Sequence, residues 1–417
     1  MRMTRKAWWS ITVLAALSVA CVTFLLVIRP TLDTAEAGDI QSFLQHYWRV
    51  PIPLQGKAPP AFSPLEASLH PKDCGVCHPQ QYQDWQTSLH SRSMGPGVYG
   101  QLLDMDAATV AICATCHTPL SEQLPRVERN GRYTPNAMFD PTLQQAGLVC
   151  AACHVRQHQR FGPPRRPEVP IPPPDAVLPH GGFTASVAFQ RSEFCKGCHQ
   201  FNPDDFALNG KLLENTYEEW RQSPYAAEGV QCQTCHMPDR RHLWRGIHDP
   251  EMVKQALHVT LTPEAPTSTP GDHLQVVITV TNTGAGHYLP TYVTPKIFVQ
   301  AQLLDQQAQV IPNTSQQAAI GRDITLDLSE ELYDTRIPPK QSRTFTYAHT
   351  VPETARSLRV RVVVYPDHFY QRFFEAVLQN GGGGQGRAQL EEALRRTTSS
   401  SFTVFERDIA LLKARQN

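Results

Sequence analysis

The chain has 417 residues, and its 38 basic side chains balance its 38 acidic ones. This neutral charge argues against a nucleic-acid-binding protein, which usually has a basic surplus. At roughly 100–200 residues per domain, the length predicts two or three domains. The charged fraction is 18%, against about 25% in ordinary soluble domains. Proline accounts for 35 residues, so a single regular helical or doubly wound domain is not expected.

The chain begins with a long apolar segment. Residues 7–28 carry no charge, and a helix over this run would span roughly 33 Å, enough for a bilayer core. The preceding Arg2, Arg5 and Lys6 should stay in the cytoplasm. We predict an uncleaved transmembrane helix (1–29) in the bacterial inner membrane, with the bulk of the chain in the periplasm. A cleaved signal peptide and a lipidated Cys21 are alternatives, and each would also export the chain.

A tether with proline-rich stretches is expected over residues 30–70, and a repeated cysteine pattern follows it. Ten of the 11 cysteines belong to five copies of Cys-x-x-Cys-His. An odd total is awkward for disulfides alone, but the eleventh cysteine, Cys21, lies in the apolar segment. The copies are Cys74/Cys77/His78, Cys113/Cys116/His117, Cys150/Cys153/His154, Cys195/Cys198/His199 and Cys232/Cys235/His236.

This pattern is typical of covalent haem attachment. Each thiol adds to one vinyl group of a haem, and the histidine ligates its iron. Two intervening residues let one turn of chain present both sulfurs to one porphyrin edge, with the histidine over the ring face. Disulfides or zinc ribbons would not explain five histidines at the same offset. The sequence therefore predicts five haem c groups, close enough together for haem-to-haem electron transfer.

The haem domain is expected over residues 71–255, mainly helical or irregular and packed around its haems. Within it, residues 163–179 contain eight prolines and should form an extended connector. Residues 82–90 read Tyr-x-x-Trp-x-x-Ser-x-His, and residues 217–225 repeat this pattern with Tyr225 in the last place. The steps place the aromatic rings on one face of a short helix, against porphyrin or as ordinary core.

The pattern of apolar residues changes after residue 256. Apolar residues alternate over 274–280, 297–303 and 358–364, which predicts an antiparallel, immunoglobulin-like β-sandwich over residues 256–366. Helices are expected over 368–378 and 387–396, with a glycine-rich break between them. Residues 367–417 are therefore predicted to be a helical extension.

Twelve histidines lie outside the motifs, and some should be the sixth ligands of the irons. A second histidine gives a closed iron suited to electron transfer, whereas an open position permits substrate binding. His90 ends the helix after the first motif, His180 stands where the connector meets a glycine turn, and His287 lies in a glycine-rich loop of the β-domain. His287 could instead be a surface histidine. The tentative distal ligands are His90, His180, His242, His248 and His287.

Three arginines crowd the fifth motif. Arg240, Arg241 and Arg245 could pair with haem propionates, because guanidinium binds carboxylates bidentately, or they could form a solvated basic loop. About ten propionates would make the mature protein more acidic than the bare chain.

These features resemble the multihaem cytochromes c, and in particular the superfamily of hydroxylamine oxidoreductase and its tetrahaem electron-accepting partner. The resemblance rests on the repeated motif, the helix of residues 82–90 and the Gly286-His287 loop, and it covers about residues 71–300. It implies bis-histidine haems, stacked in parallel and perpendicular pairs, that pass electrons. Two features depart from it: no motif ends in lysine, unlike the catalytic motif of the pentahaem nitrite reductases, and the hydroxylamine-oxidising enzymes carry more haems.

We therefore expect a membrane-anchored periplasmic electron carrier that relays electrons between a respiratory donor, such as a quinol or a protein, and an acceptor protein. One alternative is an oxidoreductase with one open haem, the fourth or fifth given Tyr225, acting on a small nitrogen or sulfur compound. Another is a quinol dehydrogenase. A third, compatible with the carrier, is a structural partner docked into a complex by its β-sandwich.

Overall fold

The structure is a computed structural model, and it describes residues 39–411. The transmembrane helix predicted over residues 1–29 lies outside this part of the chain. Within residues 39–411, no helix is long and apolar enough to cross a membrane. The predicted fold class is corrected on this point: the structure supports a region of short helices and a sheet-rich C-terminal region, and it gives no support for a transmembrane helix.

The haem-motif region is built from short helices. Many of them begin at a proline, whose fixed φ and missing N–H suit the first helical position. The helices are α1 (39–47), α2 (Pro64–Ala67), α3 (Pro71–Cys77), α4 (Pro79–Gln86), α5 (Pro96–Leu102), α6 (Ala107–His117), α7 (Pro141–Gln145), α8 (Cys150–His154), α9 (Thr216–Arg221), α10 (Pro224–Ala227), α11 (Cys232–His236) and α12 (Pro250–Ala256).

Small sheets connect these helices. The segment between Gly162 and Pro179 has neither helix nor strand, in agreement with the extended connector expected there. The strands are β1 (Arg126–Arg129), β2 (Arg132–Pro135), β3 (Val155–Arg156), β4 (Gln159–Gly162), β5 (Thr184–Ala185), β6 (Ala207–Leu208) and β7 (Lys211–Leu212). They pair as β1-β2, β3-β4-β5 and β6-β7.

The C-terminal region contains two antiparallel sheets that share one apolar core. One sheet has the strand order β14-β9-β8 and the other β11-β10-β15-β16, with a separate pair β12-β13. The strands are β8 (Leu257–Thr262), β9 (His273–Asn282), β10 (Lys296–Leu304), β11 (Gln316–Ile320), β12 (Arg322–Ile324), β13 (Glu331–Asp334), β14 (Ser342–Thr350), β15 (Ser357–Tyr365) and β16 (Phe402–Ala410).

The alternating residues predicted from the sequence form this core. Val276 and Ile278 of β9 pack in one cluster with Val299 of β10 and Val360 of β15, each buried to 2% exposure or less. Fully burying such a side chain contributes about 1.5–3 kcal/mol. The core therefore lies between the two sheets.

The last 50 residues differ from the predicted helical extension. Helices α13 (His368–Gln379) and α14 (Arg387–Thr398) are present, but residues 402–410 form β16, which pairs antiparallel with β15. Charged residues interrupt the apolar alternation of this edge strand. Their partners lie across the strand pair, where Asp408 binds Arg359 at 2.7 Å and Glu406 binds Arg361 at 2.7 Å. Residues 402–410 therefore form a strand because they pair with β15, a segment distant in the sequence.

Helices α13 and α14 pack back onto the haem-motif region. Phe374 and Leu390 are buried together between them, and both side chains reach α5. A Cβ atom added at Gly97 would lie 2.8 Å from the Phe374 ring, and one at Gly100 would lie 3.1 Å from Leu390. This close approach links the C-terminal end of the chain to the segment just before the second motif.

Candidate haem sites

The five motifs lie at helix ends or on single helical turns. The first motif closes α3, the second closes α6, and the third and fifth are α8 and α11 themselves. The fourth follows a 3₁₀ turn, Ser192–Phe194. Residues three apart on a helical turn share a face, so each motif presents both thiols together. All ten motif cysteines are free thiols, as covalent haem attachment requires.

Three motif histidines are oriented by backbone carbonyls. His117 Nδ1 donates to Ser93 at 2.6 Å, His154 Nδ1 to Phe161 at 2.8 Å and His236 Nδ1 to Arg245 at 2.6 Å. This bond fixes the tautomer and leaves Nε2 as the metal ligand. Burial lowers the pKa of His154 to about 4, and it lowers the pKa of His236 to about 4 as well. Both rings are therefore held in the neutral form that binds metals.

Three of the candidate distal histidines face motif histidines. The ring centroids are 6.3 Å apart for His90 and His199 and 6.0 Å for His154 and His242. The third pair, His236 with His287, is 6.3 Å apart and within 12° of parallel. Two imidazoles that share a metal, each with a bond of about 2 Å, have centroids roughly 6 Å apart. The gaps between these rings therefore match an iron atom ligated on both faces.

A fourth candidate, His180, lies near the first motif. Burial lowers the pKa of His78, and the proximity of His180 lowers it further. His180 occupies a turn with φ 43°, and its backbone N–H donates to Glu66 at 2.7 Å. Its Nδ1 donates to the carbonyl of Gly182 at 2.9 Å. As with the motif histidines, this leaves Nε2 free to bind a metal.

The loop that carries His287 is held by the haem-motif region. His287 Nδ1 donates to the carbonyl of Tyr288 at 2.9 Å. The Glu219 carboxylate, on α9, accepts from the Tyr288 N–H at 3.2 Å and from the Thr291 hydroxyl at 3.0 Å. The β-region thus places His287 beside His236 of the fifth motif.

Two expectations differ from the structure. His248 does not face a motif histidine, because its Nε2 lies 3.0 Å from Asp367. Tyr225 is not aimed at a haem site, since its hydroxyl donates to the Thr283 carbonyl and accepts from the Lys340 ammonium. The fourth and fifth motifs each face a histidine. All 17 histidines lie within residues 39–411, and in this part of the chain none is placed opposite His117.

Contacts between motif thiols give the order of the motifs in space. The Cys74 thiol lies close to that of Cys150, the Cys116 thiol to that of Cys198, and the Cys232 thiol to that of Cys195, and in each pair this neighbour lowers the pKa of the first-named thiol. The first motif is therefore next to the third, and the fourth is next to both the second and the fifth. Nothing in the sequence spacing indicated this order.

Buried donors without a protein partner fit haem propionates. Within the described residues, Arg156 Nη2 and Trp48 Nε1 are buried and make no hydrogen bond. The Arg156 guanidinium lies 3.8 Å from the centroid of the Tyr47 ring and 5.4 Å from that of Trp48. Propionates would supply the missing acceptors, because arginine pairs readily with carboxylates. Sequence reasoning missed both residues; the only signal was an arginine two places after the third motif.

The three arginines singled out near the fifth motif have protein partners instead. Arg241 binds Asp84 through two hydrogen bonds of 2.7 and 2.6 Å. Arg240 donates to the carbonyl of Pro164, and Arg245 donates to Thr87. These side chains fasten the segment after the fifth motif to the connector and to the end of α4.

Comparison with known proteins agrees with this geometry. The family described as "Cytochrome c554 and c-prime" matches residues 73–155. A penta-heme cytochrome c552 from Thermochromatium tepidum is similar in structure, with a TM-score of 0.58 and 17% sequence identity. The alignment covers 84% of this chain and 100% of that one. At this identity the likeness shows the fold alone. No curated protein matches the sequence.

These comparisons support a multihaem cytochrome c with covalently bound haem. The free motif thiols, the neutral motif histidines and the unpaired buried donors are the groups that haem c needs.

Proposed function

We propose that this cytochrome holds five haems c, one on each motif, and conducts electrons among them in the periplasm. The observation that carries the proposal is the placement of His90, His242 and His287 at 6.0–6.3 Å from three motif histidines. With His180 beside His78, four irons would have two histidine ligands. Such closed irons exchange electrons without binding substrate.

The electron path we propose follows the contacts between motifs. Electrons would pass between the first and third haems, from the third to the fourth, where Cys153 lies near Cys195 and Cys198, and from the fourth to either the fifth or the second. The donor and the acceptor would be redox proteins, with a quinol as a further candidate donor. Kinship with hydroxylamine oxidoreductase remains part of this proposal, supported by the arrangement of motifs. We propose no nucleic-acid partner, because the chain has no surplus of basic side chains.

A second candidate function concerns the haem of the second motif. Within residues 39–411 no histidine is placed opposite His117, so this iron would be open to a small nitrogen or sulfur compound. Tyr370 lies near this motif, and Tyr292 lies near Tyr370. Burial raises the pKa of Tyr370, and the nearby Cys113 raises it further. Tyr292 has φ 23°, a conformation that is rare for a bulky residue and often marks a functional site.

Electron paramagnetic resonance of the oxidised holoprotein tests both functions. We expect low-spin signals from four haems and a high-spin signal from one. A fully low-spin spectrum would exclude the open haem, and more than one high-spin haem would contradict the ligand pairs. Adding nitrite, hydroxylamine or sulfite should shift the high-spin signal if the second function holds. No shift would leave the protein as a carrier only.

Two matched substitutions test the ligand assignment. His242→Gln should convert one low-spin haem to high spin, because it removes the ring opposite His154. His248→Gln is the control, since His248 binds Asp367, and it should leave every haem signal unchanged. Loss of a low-spin haem in the control, or an unchanged spectrum in His242→Gln, would overturn the pairing.

A further inference from the structure

One tryptophan contacts the candidate distal ligands of two different haems. The Trp244 ring centroid lies 4.7 Å from that of His90 and 5.0 Å from that of His242. Both contacts are edge-to-face, with interplanar angles of 66° and 88°, a geometry that aromatic rings favour. His90 faces His199 of the fourth motif and His242 faces His154 of the third. The indole therefore stands between the ligand sets of two neighbouring haem sites.

The backbone of Trp244 is held in a costly conformation. Its φ is 42°, a region that bulky side chains rarely adopt and that persists only when the surrounding structure enforces it. The backbone N–H of Trp244 donates to the carbonyl of His236 at 2.9 Å. The backbone carbonyl of the next residue, Arg245, accepts from His236 Nδ1 at 2.6 Å. The same segment thus touches the fifth motif as well.

The segment around Trp244 is anchored to α4. Asp84, which is buried, binds Arg241 through both carboxylate oxygens and accepts from the His242 N–H at 3.0 Å. Arg245 donates to Thr87 at 3.0 and 3.1 Å. Residues 241–245 are therefore fixed at both ends, and the Trp244 ring has little freedom to move between the two histidines.

The two histidines differ in how they are otherwise oriented. His242 Nδ1 donates to the Arg240 carbonyl at 3.0 Å. The His90 ring makes no side-chain hydrogen bond within the described residues, so its orientation depends on ring packing. The contact with the Trp244 ring is then the main restraint on the plane of the His90 imidazole.

We propose that Trp244 is a positioning residue that sets the ring planes of His90 and His242 and thereby tunes the third and fourth haems together. This inference rests on the histidine pairing proposed above. The orientation of an axial imidazole determines the g-values of a low-spin haem and contributes to its reduction potential, so one substitution at Trp244 should change two haems and leave the others alone.

The test uses the holoprotein and three variants. Trp244→Asn removes the ring with a residue that tolerates positive φ, and Trp244→Phe keeps a smaller ring at the same place. Trp85→Phe is the matched control, because the Trp85 ring packs on Tyr82 and its Nε1 donates to the Leu148 carbonyl at 2.8 Å. Each protein is examined by electron paramagnetic resonance and by a spectroscopic redox titration.

We expect Trp244→Asn to shift the g-values and potentials of two low-spin haems and to leave the other two unchanged. Trp244→Phe should shift the same two by less, and Trp85→Phe should shift neither. If Trp244→Asn loses its haems on folding, the phenylalanine variant decides the matter alone. Unchanged signals, or equal shifts at all the haems, would overturn the role of Trp244. A wild-type spectrum without low-spin haems would instead overturn the ligand pairing itself.

Discussion

Single residues hold the two regions of this protein together, and Glu219 is one of them. Its carboxylate binds Arg336 at 2.8 Å, with both side chains at most 5% exposed, and it also accepts from the loop that carries His287. A buried charge that loses its partner is strongly destabilising, whereas an intact pair contributes much less. Glu219 therefore acts mainly by keeping Arg336 and the loop satisfied.

We predict that Glu219→Ala destabilises the fold by about 1–3 kcal/mol, because buried donors of Arg336 and of the loop lose an acceptor while Arg336 keeps its pair with Asp334. Chemical denaturation of the holoprotein measures the loss. The low-spin signal of the fifth haem should weaken first, since His287 is displaced. Glu218→Ala on the same helix is the control: Glu218 pairs with the exposed Arg221, and such pairs contribute about 0–1 kcal/mol. Equal effects of the two variants would contradict this account.

A pH-dependent contribution is expected from Asp140. It caps α7, and its carboxylate lies 2.8 Å from His70. Burial alone would raise its pKa, but hydrogen bonds from Thr142, Leu143 and His70 outweigh burial and lower the pKa to about 2. The ionised carboxylate therefore stabilises the fold above the ordinary aspartate pKa of about 3.9, and this contribution disappears as the pH falls toward the folded-state value.

The corresponding variant is Asp140→Ala. At neutral pH the loss of the cap should cost about 1 kcal/mol. The difference between wild type and variant should shrink as the pH is lowered from about 4 toward 2. Unfolding curves recorded at several pH values measure it, and a difference that does not change with pH would contradict the assigned cause.

At the scale of elements, the contact between α5 and α14 determines where the C-terminal helices lie. Glycine at position 100 allows the two backbones to approach closely, since an added Cβ would lie 2.9 Å from the Gln389 side chain and 3.0 Å from the Gly386 carbonyl. The same helices place Tyr370 near the second motif. A change at this contact should therefore reach the proposed open haem.

We predict that Gly100→Val destabilises the protein by about 1–3 kcal/mol, because overpacking forces α14 away from α5. The high-spin signal of the second haem should change, while the low-spin signals stay the same. Thermal unfolding and electron paramagnetic resonance of the same sample measure both effects. A variant of wild-type stability would show that the helices can separate without cost.

At the scale of the whole molecule, apolar core is distributed unevenly. The cluster between the two sheets contains 22 buried residues, whereas the larger cluster that lies wholly within the haem-motif region contains seven. A region with so little apolar core cannot offset the entropy of ordering its backbone. The haems must supply the missing buried surface.

We therefore predict that a chain produced without haem attachment folds only in part. Amide hydrogen exchange followed by mass spectrometry should show protection in β9, β10, β14 and β15 and rapid exchange over residues 71–255. The holoprotein should be protected in both regions. Strong protection of residues 71–255 in the haem-free chain would contradict the structural role of the haems.

The sequence by itself determined the features that depend on near neighbours. Each haem motif occupies five consecutive residues, and strand alternation has a period of two, so both were readable without the fold. The tertiary structure decided which histidine faces which motif, which motifs adjoin, and that residues 402–410 join a sheet. These depend on contacts between segments far apart in the chain, such as His287 with His236 and Trp244 with His90. The transmembrane helix predicted from the apolar run at the N-terminus lies outside residues 39–411, and within that part of the chain no helix is long and apolar enough to cross a membrane.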